Sequence, residues 1–172
     1  MLGLPGAATY LFNYNGIVTN GWPKYTRGTN AYGPICADID GYGGSDIITT
    51  SIPDETNPGR LVGVYAWNSS GNLLSGFPKY AEVDTRAPVV VSDLDSDGRL
   101  ELIASSNFDF DQTAMQSKSR GSVYAWKLAG LINPWAFDWA TFQHDIGRTG
   151  RYTRSYSVEV DHRPRSTAKS IM

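Results

Sequence analysis

The same acidic segment occurs twice in this chain, and the two occurrences lie 55 residues apart. The first runs from Asp38 to Ile48 and the second from Asp93 to Ile103, with every matched position at that spacing. Each segment places carboxylates on alternate residues, has glycine at its sixth position and leads into an apolar stretch. An acidic turn before a strand, recurring at a fixed period, favours a chain built from structural repeats.

The repeat extends well beyond the acidic segments. The stretch at 10–13 (Tyr-Leu-Phe-Asn) recurs at 65–68 as Tyr-Ala-Trp-Asn, and Gly-Trp-Pro-Lys-Tyr at 21–25 recurs at 76–80 as Gly-Phe-Pro-Lys-Tyr. A third copy begins at Gly121 and carries no acidic segment. We therefore expect repeat units at about 8–60 and 61–120, a closing segment at 121–152 that is rich in aromatic residues, and a basic tail at 153–172.

Four short strands are predicted within one period. They are expected at 61–67, 73–74, 87–92 and 100–105, because these stretches alternate or are rich in β-branched and aromatic residues. Helical periodicity is absent over any window of twelve residues. Four-stranded antiparallel sheets repeated about an axis define a β-propeller, and a period of this length suits one blade. The predicted fold is therefore all-β, with about two and a half β-propeller blades of an incomplete propeller, because two blades cannot close a ring.

Composition excludes several classes of function. Apolar residues make up 41% and charged residues 19% of the chain, which indicates a globular protein. The net charge of −2 gives no reason to expect nucleic acid as a partner, and no stretch is long and apolar enough to cross a membrane. The single cysteine, Cys36, is expected to be a small core residue. The two longest polar loops, at 52–59 and 107–120, are either binding loops or tolerated insertions.

The second acidic loop has the residue pattern of a site for a hard cation. Asp93, Asp95 and Asp97 stand at positions 1, 3 and 5, and Glu101 stands at position 9. Calcium prefers six to eight oxygen ligands, and alternate side chains of a tight loop converge on one point. A glycine at position 6 permits the turn that brings the carbonyl of Arg99 close. The alternative is an acidic turn held only by hydrogen bonds from side chains to its own backbone.

The first acidic loop has the same pattern with one carboxylate fewer. Asp38, Asp40 and Asp46 keep positions 1, 3 and 9, whereas Tyr42 stands at position 5 and offers at most its carbonyl. Because affinity for calcium follows the number of carboxylates, we expect this loop to bind more weakly than the second. Neither loop has histidine or cysteine among its candidate ligands, which argues against zinc and copper.

The second loop and its surroundings resemble a known family. Asp-Leu-Asp-Ser-Asp-Gly-Arg-Leu-Glu-Leu-Ile at 93–103 resembles the calcium loop of the FG-GAP/VCBS-type repeats of integrin-like β-propellers. Trp-Ala-Thr-Phe-Gln-His-Asp-Ile-Gly-Arg-Thr-Gly at 139–150 resembles the closing segment of secreted members from bacteria and archaea. The resemblance implies that calcium ligands are supplied by two sets of residues. These sets are Asp93, Asp95, Asp97, Arg99 and Glu101 in the second loop, and Asp38, Asp40, Tyr42, Gly44 and Asp46 in the first.

The resemblance implies a non-catalytic, calcium-binding segment of a secreted or surface protein. Its expected role is adhesion or the recognition of a protein or glycan, with self-association or completion by further blades, without nucleic acid and without membrane insertion. No motif of a catalytic nucleophile, zinc peptidase or phosphate loop occurs, and the only histidines are His144 and His162. The alternatives are a remnant of a propeller enzyme, either a polysaccharide lyase or a quinone-dependent dehydrogenase, and the ancillary region of a secreted peptidase.

Overall fold

Twelve β-strands make up the regular structure of the residues described by the computed structural model. The described residues are 7–26, 28, 32–52, 62–81, 87–106, 109–111, 116–118, 122–132, 137–139 and 141, and none of them lies in a helix. The strands are β1 (Ala8–Thr9), β2 (Lys24–Tyr25), β3 (Ile35–Ala37), β4 (Asp46–Thr50), β5 (Val62–Trp67), β6 (Lys79–Ala81), β7 (Val90–Ser92), β8 (Arg99–Ser106), β9 (Asp109–Asp111), β10 (Gln116–Lys118), β11 (Ser122–Leu131) and β12 (Phe137–Trp139). The prediction of an all-β fold is confirmed.

The strands form antiparallel sheets, of which two are central to the candidate site. The larger sheet has the order β12-β3-β4-β5-β6, and the smaller has the order β11-β8-β7. The hairpin β3–β4 pairs Ile35 with Ile48 and Ala37 with Asp46. The hairpin β7–β8 repeats this register at the same 55-residue spacing. The two remaining sheets are the pairs β1–β2 and β9–β10. Each acidic loop therefore connects the two strands of a matching hairpin.

One predicted strand is wrong, and three are found with shifted ends. The strands expected at 61–67, 87–92 and 100–105 correspond to β5, β7 and β8. At 73–74 the chain forms only an isolated bridge, between Leu73 and Trp67. A turn follows, in which the Phe77 amide donates a hydrogen bond to the Leu74 carbonyl at 3.1 Å. This turn reverses the chain, so that Lys79 of β6 pairs with Val64 of β5. The predicted unit boundary at 60/61 falls between β4 and β5 of the larger sheet.

The core consists of two clusters that lie on opposite faces of the larger sheet. Successive residues of β4 point to opposite faces, so that Ile48 joins one cluster and Ile47 the other. The cluster around Ile48 includes Leu100 and Leu102 of β8, so that the smaller sheet covers this face. The opposite face is covered by Trp22, which precedes both sheets in the chain. All five residues of β4 are buried, because this strand has layers on both sides.

Several predicted features lie partly or wholly outside the described residues. This applies to most of the polar loops at 52–59 and 107–120, to the closing segment after 141 with His144, and to the tail with His162. Cys36 is half-buried and packs against the Trp22 cluster, which agrees with its predicted place at the core. Among the described residues, no helix has the length and apolar character needed to cross a membrane.

Candidate metal centre

The first acidic loop, between β3 and β4, is folded around its own carboxylates. Asp38 accepts hydrogen bonds from the amides of Gly41 and Gly43 at 2.9 and 3.0 Å. Asp40 accepts one from the amide of Tyr42 at 3.0 Å. Gly41 and Gly43 adopt φ angles of 81° and 86°, which glycine reaches at no steric cost. The two aspartates therefore stabilise the turn, and the remaining lone pairs of their carboxylate oxygens are available to a ligand.

The second loop, between β7 and β8, has the same conformation. Asp93 accepts hydrogen bonds from the amides of Asp97 and Gly98 at 3.1 and 3.0 Å. Asp95 accepts a longer one from the Asp97 amide, at 3.3 Å. Ser96 and Gly98 have φ angles of 60° and 84°, at the positions that match the two left-handed glycines of the first loop. Ser96 adopts a left-handed conformation that residues other than glycine rarely adopt. The second loop therefore has the same backbone shape as the first, although serine stands where the first loop has Gly41.

A buried carboxylate closes each loop from the strand that follows. Asp46, at the start of β4, accepts a hydrogen bond from the Ile39 amide at 3.0 Å. Glu101 of β8 accepts the matching bond from the Leu94 amide at 2.8 Å, through Oε2. These side chains are only 2% and 6% exposed. The other oxygen of Glu101, Oε1, is fully buried and has no hydrogen-bond partner among the described residues.

Each loop gathers three carboxylates into one cluster. One oxygen from each of Asp38, Asp40 and Asp46 lies within 4.8 Å of the other two, and the same limit holds for Asp93, Asp95 and Glu101. Calcium–oxygen distances are about 2.3–2.6 Å, so two oxygens on opposite sides of one calcium ion are separated by about twice that distance. In both clusters the three oxygens therefore lie close enough together to contact one cation.

A lysine is the main difference between the two loops. Lys127 of β11 donates hydrogen bonds to Asp97 and, at 3.3 Å, to Asp95 Oδ2. Its ammonium group therefore meets two of the four carboxylates that the sequence assigns to the second loop. The sequence matches Lys127 to Asn68, which also follows a tryptophan but lies in a turn at the end of β5. Among the residues that the structure describes, no lysine or arginine forms an ion pair with the carboxylates of the first loop.

The electrostatics of the two loops differ accordingly. Burial, with added repulsion from Asp40 and Asp38, raises the pKa of Asp46 from 3.8 to about 6. In the second loop, the hydrogen bond from Lys127 lowers the pKa of Asp97, and the same bond raises the pKa of Lys127. The concentrated negative charge of the first loop is thus left without a counter-ion among the described side chains. In the second loop, one is supplied by the protein itself.

The structure brings together six of the ten residues that the sequence assigns to the two sites. These six are Asp38, Asp40, Asp46, Asp93, Asp95 and Glu101. Asp97 lies outside the second cluster, where it bonds to Lys127 and to the Arg99 amide. Gly44 and Tyr42 lie on the exposed part of the first loop, and Tyr42 contributes its amide to Asp40. Sequence reasoning missed Lys127, although it is the cationic residue next to the tryptophan of the third copy.

Comparison of the chain with protein-family models, with curated proteins and with solved structures gives no match. The resemblance to FG-GAP/VCBS-type repeats therefore rests on the sequence alone, in the acidic loops and in the closing segment at 139–150.

Proposed function

We propose that this chain is a calcium-binding segment of a β-propeller of the FG-GAP/VCBS type, with one calcium ion held in each acidic loop. The larger sheet supports this reading, because β3, β4, β5 and β6 form a four-stranded antiparallel meander of the size of one blade. The sheet β7-β8-β11 repeats three of these strands and packs face to face on the first.

The single observation that carries the calcium proposal is the environment of Glu101. A buried carboxylate oxygen without a partner costs free energy, because burial removes its water and nothing replaces it. This oxygen belongs to a side chain that forms a cluster with Asp93 and Asp95, whose oxygens are within 4.8 Å. A cation at the centre of the cluster supplies the missing partner. Ligands made only of oxygen favour calcium or magnesium, and the flexible loop with at least three carboxylates favours calcium.

Calcium in these loops has a structural role in this proposal. Each ion fixes a hairpin whose strands carry the core, so that its binding free energy adds to the stability of the fold. The segment is non-catalytic and serves adhesion or the recognition of a protein or glycan by a secreted or surface protein. The described carboxylates that lie close together are all accounted for by the two cation sites and their loop hydrogen bonds.

Thermal unfolding followed by circular dichroism tests the proposal, in a calcium titration from a chelator to about 10 mM. The informative variants are Asp40→Asn and Asp95→Asn, because an amide oxygen still accepts the loop hydrogen bond of each aspartate while the charge is removed. At a calcium concentration a hundredfold above the dissociation constant, one site adds about 2.7 kcal/mol. For a chain of this length, that corresponds to a rise in midpoint of roughly 5–10 °C.

We expect each variant to lose the part of the calcium response that belongs to its own loop, with little change in the chelator. Magnesium at the same concentration is the control for cation specificity. A midpoint that is independent of calcium in the unmodified chain would contradict the proposal. An equal rise in midpoint with magnesium would show that the sites do not select calcium over magnesium.

A further inference from the structure

The first two sequence copies contain the same aromatic segment, at 10–12 and at 65–67, and the same turn. The amide of Gly16 donates to the carbonyl of Asn13 at 2.9 Å, and 55 residues further on Gly71 donates to Asn68 at 2.8 Å. The isolated bridge between Phe12 and Val18 recurs between Trp67 and Leu73. The rings also stack alike, with centroids 6.0 Å apart for Tyr10 and Phe12 and 5.6 Å apart for Tyr65 and Trp67. The two copies can therefore be compared residue by residue.

In the second copy, this aromatic segment belongs to β5 and has contacts on two sides. Its edge pairs with β4, so that Trp67, Ala66 and Tyr65 lie opposite Ile47, Ile48 and Thr49. Its aromatic face is covered by Trp22 of the first copy, whose indole lies at 71° to that of Trp67 with centroids 6.1 Å apart.

The two turns that flank this contact are also locked together. The indole nitrogen of Trp22 donates to the carbonyl of Ser69 at 2.9 Å. A Cβ atom at Gly71 would lie 2.6 Å from the carbonyl oxygen of Gly21, so that only glycine fits between the two turns. As a result, Tyr65 and Trp67 are only 7% and 4% exposed.

In the first copy, both of these partners are missing from the described residues. Strand β1 pairs with β2 as β5 pairs with β6, and no described strand lies beside the edge at 10–12 that matches the β4-facing edge of β5. Tyr10 and Phe12 are 52% and 56% exposed. A Cβ atom at Gly16 would have nothing within 4 Å, whereas the matching Gly71 is in tight contact. The surface thus has the shape of an interface that is occupied one period further along the chain.

We propose that the edge at 10–12 and the rings of Tyr10 and Phe12 form a docking surface for one further repeat of this type. The strand that follows the acidic loop of that repeat pairs with the open edge, as β4 pairs with β5. Its Gly-Trp-Pro or Gly-Phe-Pro turn covers the two rings, as Trp22 covers Trp67. The inference concerns packing between repeats, and it does not depend on the binding of calcium.

The occupant is a further repeat and not a second copy of the whole chain. Both hairpins of this chain that could supply the missing strand are already in use, because β4 pairs with β5 and β8 pairs with β11. Trp22 is likewise engaged by the second copy, and Phe77, its counterpart, packs against the main core cluster. A second copy of the chain therefore has no described strand and turn free to reproduce the interface.

A tandem chain tests this directly. A duplicate of residues 7–61, joined in front of residue 7, keeps the 55-residue period and places its own Ile47–Thr49 strand and Trp22 where the interface requires them. The substitution Phe12→Ser is then made in the original chain and, in the tandem chain, at the Phe12 that follows the added duplicate. We expect its effect on the unfolding equilibrium constant to be at least about tenfold larger in the tandem chain, because only there is the ring buried. Tyr14→Ser is the matched control, since the second copy already has an exposed serine there, Ser69.

A second measurement does not require reversible unfolding. In hydroxyl-radical footprinting, Tyr10 and Phe12 are expected to react in the original chain and to be protected in the tandem chain, while Tyr14 reacts in both. Equal reactivity of Tyr10 and Phe12 in the two chains would overturn the proposal. A second result would also overturn the proposal: the original chain forms a dimer that Phe12→Ser dissociates, and the tandem chain shows no protection. The surface would then be an interface between two copies of the chain.

Discussion

Replacement of Asp46 by asparagine should stabilise the chain in a chelator and destabilise it in calcium. The carboxylate is 2% exposed, and burial raises its pKa from 3.8 to about 6. In the folded state Asp46 therefore binds a proton more tightly than in the unfolded state. Between about pH 4 and pH 6 the folded state holds more protons, so this group makes the chain less stable as the pH rises through that window. Above it, the full cost of the buried charge is present.

The size of this effect follows from the shift. One pKa unit corresponds to 1.36 kcal/mol, so that the ionised Asp46 costs about 3 kcal/mol at pH 7.5 without a cation. Asparagine carries no charge, and its oxygen can still accept the hydrogen bond from the Ile39 amide. Its amino group faces Asp38 and Asp40, which are both acceptors. We expect Asp46→Asn to raise the midpoint in the chelator by up to roughly 5–10 °C at pH 7.5, and by little at pH 4.

Calcium should reverse the order, because the ion gains more from a charged ligand than from an amide. The assay is thermal unfolding of both proteins at pH 4, 5, 6 and 7.5, each with a chelator and, above pH 5, with calcium. Asp97→Asn is the matched control. Asp97 is exposed and its pKa is lowered by Lys127, so loss of its charge should not stabilise the chain in a chelator. If Asp46→Asn is the less stable protein in chelator at pH 7.5, the reasoning from buried charge is refuted.

Three further predictions concern other parts of the structure. Lys127→Met should raise the calcium affinity of the second loop on the order of fivefold by isothermal titration, because an ammonium group no longer competes for two carboxylates. Gly71→Ala should lower the unfolding free energy by about 1–3 kcal/mol more than Gly16→Ala in denaturant titration, because both residues have positive φ but only Gly71 is crowded. Leu102→Ala, at a fully buried position, should cost about 2–5 kcal/mol, whereas Val123→Ala on the exposed side of β11 should cost less than about 1 kcal/mol.

The acidic hairpins were predictable because their sequence controls local geometry. Each loop needs side-chain hydrogen-bond acceptors at positions 1 and 3, which bind the backbone amides of the loop. It also needs residues that tolerate positive φ at positions 4 and 6. The carboxylates of Asp93 and Asp95 and the glycine at 98 meet most of these needs through contacts within a few residues. Only Ser96 departs from the expected residue type, and the matching glycine in the first loop identifies its conformation. Local constraints of this kind can be read from sequence, because few other residues take part.

The partners of these hairpins were not predictable, because they depend on the length of the connections. Ile47 and Leu102 are equivalent residues of the two acidic hairpins, and they pair with Trp67 and Trp126 respectively. The connection from Leu102 to Trp126 is four residues longer than the connection from Ile47 to Trp67. This longer path leads into β11, in which Lys127 lies opposite Glu101. An alignment of the copies on their tryptophans, Trp67 with Trp126, matches Lys127 with Asn68, which lies in a turn and not beside a carboxylate. The contact with the acidic loop therefore appears only when the register is known.

The position of Asp46 connects the loop to the packing of the layers. In β4 it is followed by Ile47 and Ile48, which belong to the two core clusters on opposite faces of the sheet. The carboxylate is buried because β4 is an inner strand with layers on both sides, and this burial raises its pKa. A cation that neutralises this charge therefore stabilises the strand on which both clusters depend. In the second hairpin, Glu101 stands between Leu100 and Leu102 of the core, so that the same coupling applies there. Because of this arrangement, loss of a loop carboxylate should lower the stability of the fold when calcium is present, in addition to weakening the binding of the ion.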